Sequence, residues 1–436
     1  MRLALLLAGL ISFAPAGAWA QQSPETPDAT DADSSPKAES TDSKAVPLDE
    51  IRRFVTVFNS IRQAYVTPKS DTELMHSAVR GLLFDLDPHS VYFDRDDAER
   101  FDSSTEGQYE GLGVEVQQQP GPMLKIIAPM DGGPAARAGL KSGDLIIAVD
   151  GKPVGTDNGN RALRGKAGST VKLTIRRGKE KPFDVSVTRE KIIVPSVAKR
   201  MLEPGFGLVR VSGFQATTAK EFDEALQSLN TSSGGKLRGL VIDLRSNPGG
   251  LLNAAVEMAD DLMNAGNIVS TRGRVKSGDT IYTAHAGDVL QGAPVVVLVD
   301  AGSASASEVL AAALQDSGRA RVVGSLTFGK GSVQSLLPLD NGDAVKLTTA
   351  RYYTPKNRSI QGVGIVPDVL VKADGKTRNV TVNEASLLGH LRGEEEMSGE
   401  TGGEVLSGEM PVNAALSELK RMAGVAPVAK PKPKAK

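Results

Sequence analysis

The chain has 436 residues, 40% of them hydrophobic, which is enough for two or three globular domains, and its formal net charge is −1. Neither sign of charge dominates, so there is no general case for binding nucleic acid or an anionic membrane surface. There is no cysteine; disulfides, thiolate chemistry and lipid attachment at a cysteine are therefore excluded, and an oxidising compartment is permitted without being required.

The first residues, MRLALLLAGLISFAPAGAWA, place Arg2 before an apolar run from Leu3 to Phe13 and a small-x-small ending at Ala18, Trp19 and Ala20. That pattern predicts a secretory signal peptide (1–20) cleaved after Ala20, with the mature chain across the inner membrane in the periplasm. A membrane anchor is the rival reading, but the run is short of the ~20 residues a span needs, so no membrane span is expected in the mature chain. Residues 21–47, rich in Ser, Thr, Asp, Ala and Pro, read as a disordered linker.

From Leu48 to Tyr65, apolar residues Ile51, Phe54, Val55, Phe58, Ile61 and Tyr65 recur at helical spacing, and a second amphipathic helix runs from about Thr72 to Leu86. They make an N-terminal helical segment (48–98) that packs on a core or on a second subunit. It ends in LDPHSVYFD, which contains His89. The four histidines, His76, His89, His285 and His390, share no metal-ligand spacing, so no metal site is expected. His89 reads as a residue that caps or braces the turn after Asp87-Pro88.

Between 99 and 190 the pattern changes to short strands separated by turns. Gly111-Leu112-Gly113-Val114, followed by Gly139-Leu140-Lys141-Ser142-Gly143-Asp144, resembles a PDZ domain. In such a loop, glycines let backbone N–H groups turn toward a peptide's terminal carboxylate while the peptide adds to a sheet edge. Residues 191–370 alternate apolar strands at Gly207–Val211, Leu240–Leu244 and Val295–Val299 with helical patterns at Ala219–Leu229, Leu251–Met263 and Ser305–Gln315, an α/β order. The extension 371–436 holds a helix at Asn413–Gly424 and ends in a basic, proline-broken tail.

The chemistry converges on Pro294 to Gln334. A serine at the junction of the Val295 strand and the following helix sits where free N–H groups and the helix dipole favour an oxyanion. Ser303, Ser305 and Ser307 alternate there, and local physics alone does not choose among them; Ser305 with Glu308 also spells a capping box. Lys330 lies between Gly329 and Gly331 in a segment short of acids from Val322 to Pro338, the setting in which burial can lower a lysine's pKa far enough for it to act as a base. If the segment is extended, Gln334 leaves the same face with its Cα ~13 Å from that of Lys330. Asn247-Pro248-Gly249-Gly250 is a second place where N–H groups meet a strand's C-terminal end. GSLTFGK at Gly324–Lys330 begins like a phosphate-binding loop, but Gly331 replaces its Ser/Thr and a hairpin follows instead of a helix, which argues against a nucleotide.

SASASE (303–308), ALQDSGRA (313–320), TFGKGSVQ (327–334), RSNPGG (245–250), the LDPHS segment and QGVGIVPD (361–368) together resemble the carboxyl-terminal processing, or tail-specific, proteases. The resemblance covers about Leu48 to Asp368 and implies an α/β fold, a crotonase-like ββα protease core (191–370) with an inserted PDZ domain. It also implies a nucleophile at Ser305, a general base at Lys330, a positioning glutamine at Gln334, and an oxyanion hole from the N–H of Ala306 and of Gly249 or Gly250. Peptide binding falls on Gly111, Leu112, Gly113 and Val114, and a regulatory coupling on Arg164, whose alternative is a solvated turn residue. The implied activity is a cofactor-free serine endopeptidase acting on proteins with free, apolar C-terminal tails. An adaptor, and a homo-oligomer formed through the terminal helices, are the further partners the reading allows. The competing class is a noncatalytic PDZ scaffold that binds protein C-termini.

Overall fold

The computed structural model describes residues 46–155, 159–276, 279–372, 382–396 and 402–425, so the expected signal peptide, nearly all of the linker and the basic tail lie outside the described residues. The chain forms two compact units, 1–69 and 70–436. In the first, α1 (Leu48–Ala64) carries the expected apolar stripe, with the Phe54 and Phe58 rings 6.3 Å apart, and buries none of its residues. No described helix is long and apolar enough to cross a membrane.

The second unit opens with α2 (Asp71–Phe84), started by a reciprocal Ser70–Glu73 capping box, then β1 (Val91–Phe93) and α3 (Arg95–Thr105). A small β-domain follows: β2 (Gln108–Gly111), β3 (Val114–Gln119), β4 (Met123–Pro129), α4 (Pro134–Arg137), β5 (Leu145–Val149), β6 (Lys152–Pro153), α5 (Gly159–Leu163), β7 (Thr170–Arg176), β8 (Phe183–Thr188) and β9 (Glu190–Ile193). Its sheet has the order β3-β4-β5-β7-β8, with β3 left as an edge, and β2 pairs with β9 where the chain enters and leaves. Alternation along β7, with Val171, Leu173 and Ile175 fully buried, supplies the core of this domain.

The larger domain comprises β10 (Val197–Glu203), β11 (Phe206–Val211), α6 (Thr218–Ser232), β12 (Gly239–Asp243), α7 (Leu252–Asp260), β13 (Asn267–Gly273), β14 (Thr280–Thr283), β15 (Val295–Val299), α8 (Ala306–Asp316), β16 (Ala320–Gly324), β17 (Ser332–Pro338), β18 (Ala344–Tyr353), β19 (Val369–Leu370) and α9 (Met410–Met422). Its central sheet runs β10-β11-β12-β15-β16-β19, parallel from β11 onward. β12 and β15 are buried along their whole length because both faces are covered. On one side α6, α7 and α8 pack on Val209, Ile242, Val295 and Val297; on the other, α9 sets Ala415 and Leu419 against Val241, Val296 and Leu298. A second sheet, β1-β18-β13-β14 with β17 on β18, carries the hairpin that follows Lys330. The second unit is thus a mixed α/β core interrupted by a separate small β-domain.

Candidate active site

Parallel strands present loops at their carboxyl ends, and here three neighbouring strands do so together: β12 leads into 244–251, β15 into 300–305, and β16 into 325–331. The loops are laced to one another. Asn247 O accepts the N–H of Ala304 (3.0 Å) and the hydroxyl of Ser307 (2.9 Å), Asp300 Oδ1 accepts the N–H of Ser246 (2.8 Å), and Ser303 O accepts the N–H of Phe328 (3.0 Å).

The three alternating serines have different surroundings. Ser303 donates to Leu244 O (2.8 Å) and accepts the Asp300 N–H (2.9 Å), while Ser307 is tied to Asn247 O; both are fully buried. Ser305 has neither tie. It is the N-cap of α8 at φ 54°, ψ −115°, a conformation that costs a non-glycine residue about 1–3 kcal/mol. Its side chain meets the phenol of Tyr352, which burial pushes up to about 12 despite that hydrogen bond, so the phenol is neutral.

Glu308 joins the loops. Its Oε2 accepts the N–H of Ser305 (2.8 Å) and of Lys330 (2.9 Å); its Oε1 accepts the N–H of Gly329 (2.7 Å) and the hydroxyl of Thr327 (2.5 Å). One oxygen thus holds the backbone nitrogens of Ser305 and Lys330 no farther apart than the sum of its two bonds. Burial raises the Glu308 carboxyl to about 7, against the pull of Thr327, Gly329, Ser305 and Lys330, so it is charged above that pH. In the sequence it reads only as half of a capping box; the available signal is an acid in a run that is otherwise small or apolar from Ala306 to Leu314.

Lys330 is partly buried, and burial first, then the like charge of Lys346, lowers its amine to about 8, against the opposing pull of Glu384, Glu308 and Asp87. The lowered pKa agrees with the sequence expectation, but the surroundings correct it. The segment is acid-poor only along the chain, and folding brings three carboxylates near it. Among the described residues none of them forms an ion pair with the amine.

Gln334 also needs a correction. Lys330 precedes β17, and the register shifts between Val333 and Gln334, so the two side chains do not share one extended face. The Gln334 carboxamide donates to Ser332 Oγ (3.0 Å) and Thr348 Oγ1 (3.2 Å). The glycine pair is distinguishable as well. Gly249, at φ 100°, packs where a Cβ would lie 2.9 Å from that of Ser305, but its N–H donates to Asn247 Oδ1 (2.9 Å). Among the described residues no hydrogen bond engages the N–H of Gly250 or Ala306.

His89 does not brace its own turn. The Asp87 carboxylate does so, accepting the N–H groups of His89 (2.8 Å) and Ser90 (2.9 Å), while the imidazole reaches Glu384.

In the β-domain, Leu112 and Val114 line a cavity of about 140 Å³ with Val116, Leu163, Tyr109 and Arg164, beside the free edge of β3. Gly111 allows the Tyr109 ring to fold across it; a Cβ there would lie 2.8 Å from the ring. Burial raises the Tyr109 hydroxyl's pKa, opposed by the Val114 N–H, the charge of Arg164 and the Gly113 N–H. The Arg164 guanidinium lies over the same ring, 5.0 Å from its centre, although the residue itself is exposed.

Residues 205–371 match the model of peptidase family S41, 125–177 that of a PDZ domain, and 6–97 that of the N-terminal domain of activating protease CtpB. A carboxy-terminal-processing protease of Bartonella bacilliformis is 42% identical over 356 residues, 80% of this chain and 82% of that protein. Carboxy-terminal processing protease CtpA of Bacillus subtilis is 37% identical over 317 residues, 72% of this chain and 67% of that one. Among solved structures, a photosystem II D1 C-terminal processing protease aligns with 75% of this chain and 94% of its own at 30% identity, with a TM-score of 0.43.

Proposed function

This chain belongs to peptidase family S41, as a carboxy-terminal processing protease with an associated PDZ domain, and from that premise we propose a Ser-Lys endopeptidase that takes hold of free, apolar C-terminal tails. Neutral Lys330 removes the proton of Ser305, the alkoxide attacks a peptide carbonyl, and the oxyanion is held by the N–H groups of Ala306 and Gly250. The lysine then returns the proton to the departing amine and activates the water that releases the acyl group. Gln334 acts through Ser332 and Thr348 to steady the hairpin after the lysine. The observation that carries this reading is the single Glu308 oxygen shared by Ser305 and Lys330.

In the same reading, residues 99–190 form the PDZ domain and 191–370 a crotonase-like ββα core, supported by the repeated strand, loop and helix of β12–α7 and β15–α8. The Gly111–Val114 loop and the free edge of β3 receive the tail, and the protein works after export, in the periplasm. The test is to incubate the protein with an apolar-tailed substrate and with the same substrate amidated at its C-terminus. Cleavage of the free acid at a rate at least about tenfold above the amide is expected. Binding without cleavage of either would replace the protease by a scaffold.

Arg164 couples tail binding to the site in this account. It stacks on Tyr109 of β2; the segment before β2 is joined to the core where Thr105 O accepts the Ala216 N–H (3.0 Å); and Phe214, two residues earlier, is zipped to Gly249 and Leu251 (3.0 and 2.8 Å). Arg164→Ala is expected to lower the stimulation of a reporter cleavage by added tail peptide several-fold; unchanged stimulation would remove the coupling.

A further inference from the structure

The lysine loop is held by Gln361 and Glu384, and Glu384 is met by His89, which lies some 240 residues upstream of the lysine. The buried carboxylate of Glu384 receives the His89 Nε2–H (2.8 Å to Oε2) and the carboxamide of Gln361 (2.8 Å to Oε1). Gln361 Oε1 in turn accepts the N–H of Gly331 (2.9 Å), and the Glu384 N–H donates to Phe328 O (3.0 Å). Phe328 and Gly331 flank Gly329 and Lys330, so this one network holds both ends of the two-residue stretch that contains the lysine. Gly331 must be glycine, because a Cβ there would collide with the Gln361 backbone.

The same LDPHS turn reaches the next residues by a second route. Asp87 Oδ1 accepts the hydroxyl of Thr348 (3.1 Å), whose oxygen accepts the Gln334 carboxamide (3.2 Å), and the Thr348 N–H donates to Ser90 Oγ (3.2 Å). Glu384 and Gln361 are fully buried and the His89 side chain is 17% exposed, so these bonds form where water competes weakly.

We propose that the His89–Glu384 pair is a positioning element for Lys330, working through Gln361 and the backbone at Phe328 and Gly331. The proposal rests on Lys330 being the base of the reaction. A turn that merely stabilised the fold would need neither a buried carboxylate opposite its histidine nor a relay to the residue after the lysine. The charged groups that face the Lys330 amine are Lys346, Glu384, Glu308 and Asp87; Glu384 is thus one of the carboxylates that favour its protonated form.

The test measures kcat and KM for one apolar-tailed peptide with the full chain carrying His89→Ala, His89→Gln or Glu384→Gln, from neutral to alkaline pH. Thermal unfolding of each variant reports intact folding of the core, and binding of that peptide, with each change made on a Ser305→Ala background, reports the tail site. His89→Ala is expected to lower kcat by about tenfold or more with KM and binding within about twofold, since small displacements of a base are costly. His89→Gln, which keeps a side-chain N–H donor for Glu384, is expected to recover most of the loss. Glu384→Gln is expected to move the acid limb of the kcat profile to lower pH, because a charge that favours the protonated amine is gone. The proposal is overturned if His89→Ala leaves kcat unchanged, if both His89 variants lose peptide binding, or if both are equally slow with binding intact. Lys330→Ala, run beside them, tests the underlying reading separately: turnover by that variant removes the lysine's role whatever the His89 variants do.

Discussion

Ser305→Ala is expected to lower peptide hydrolysis by about ten-thousand-fold or more while binding of a tail peptide stays within about twofold of the unchanged protein. The expectation rests on what the hydroxyl does in the folded chain. Ser305 occupies a strained junction at the start of α8, beside the uncommitted N–H groups of Ala306 and Gly250, and its backbone N–H is fixed by Glu308. None of those features needs the hydroxyl, so removing it deletes a nucleophile and leaves the framework. Ser303→Ala and Ser307→Ala should behave in the opposite way. Each strips a buried bond to the loop after β12, from Ser303 to Leu244 O or from Ser307 to Asn247 O, at a cost of about 1–3 kcal/mol in stability. Comparing rates and melting temperatures of the three variants separates nucleophile from scaffold. Equal loss of rate in all three, with equal loss of stability, would mean that Ser305 is only another strut.

Lys330 gives the second large effect. An amine with its pKa near 8 is mostly protonated at neutral pH and cannot accept the serine's proton; kcat should therefore climb as pH rises through about 8 and level off above it. Lys330→Arg, whose guanidinium stays charged, and Lys330→Met should both lose activity by about a thousandfold or more. The stability change runs the other way. The unfolded chain holds this proton up to 10.5, whereas the folded protein releases it near 8. Burial of the charged amine is therefore a full penalty below pH 8, relieved as pH rises toward 10.5. Lys330→Met should stabilise the protein at pH 7 by at most about 3 kcal/mol, with the gain shrinking in alkali. A gain that is the same at pH 7 and pH 10 would mean that the amine is not buried as a charged group.

The strands at Gly207–Val211, Leu240–Leu244 and Val295–Val299 and the helices that follow them are readable from apolar runs and helical spacing, and they form within a few residues of those places. β12 and β15 are legible because a strand covered on both faces has no polar positions to alternate. The pairwise chemistry is less legible. Spacing puts Gln334 beside Lys330 only if the chain is regular, and a register shift at Val333 spoils that regularity. An acid-poor stretch says nothing about Glu308, Glu384 and Asp87, which come from other elements. Tyr352, Tyr109 and Glu384 have no local signature, because their roles depend on what folds against them. Ser305 is separable from Ser303 and Ser307 by their bonds to Leu244 and Asn247, which lie elsewhere in the fold.

The most direct measurement is to quench turnover of an apolar-tailed substrate with acid during the first turnover, and to locate any covalently retained acyl group by mass mapping of the digested protein. An acyl ester is expected on the peptide containing Ser305, accumulating faster above pH 8 and absent from Lys330→Met. An adduct on any other residue, or complete hydrolysis with no acyl group retained under conditions that preserve esters, would contradict it.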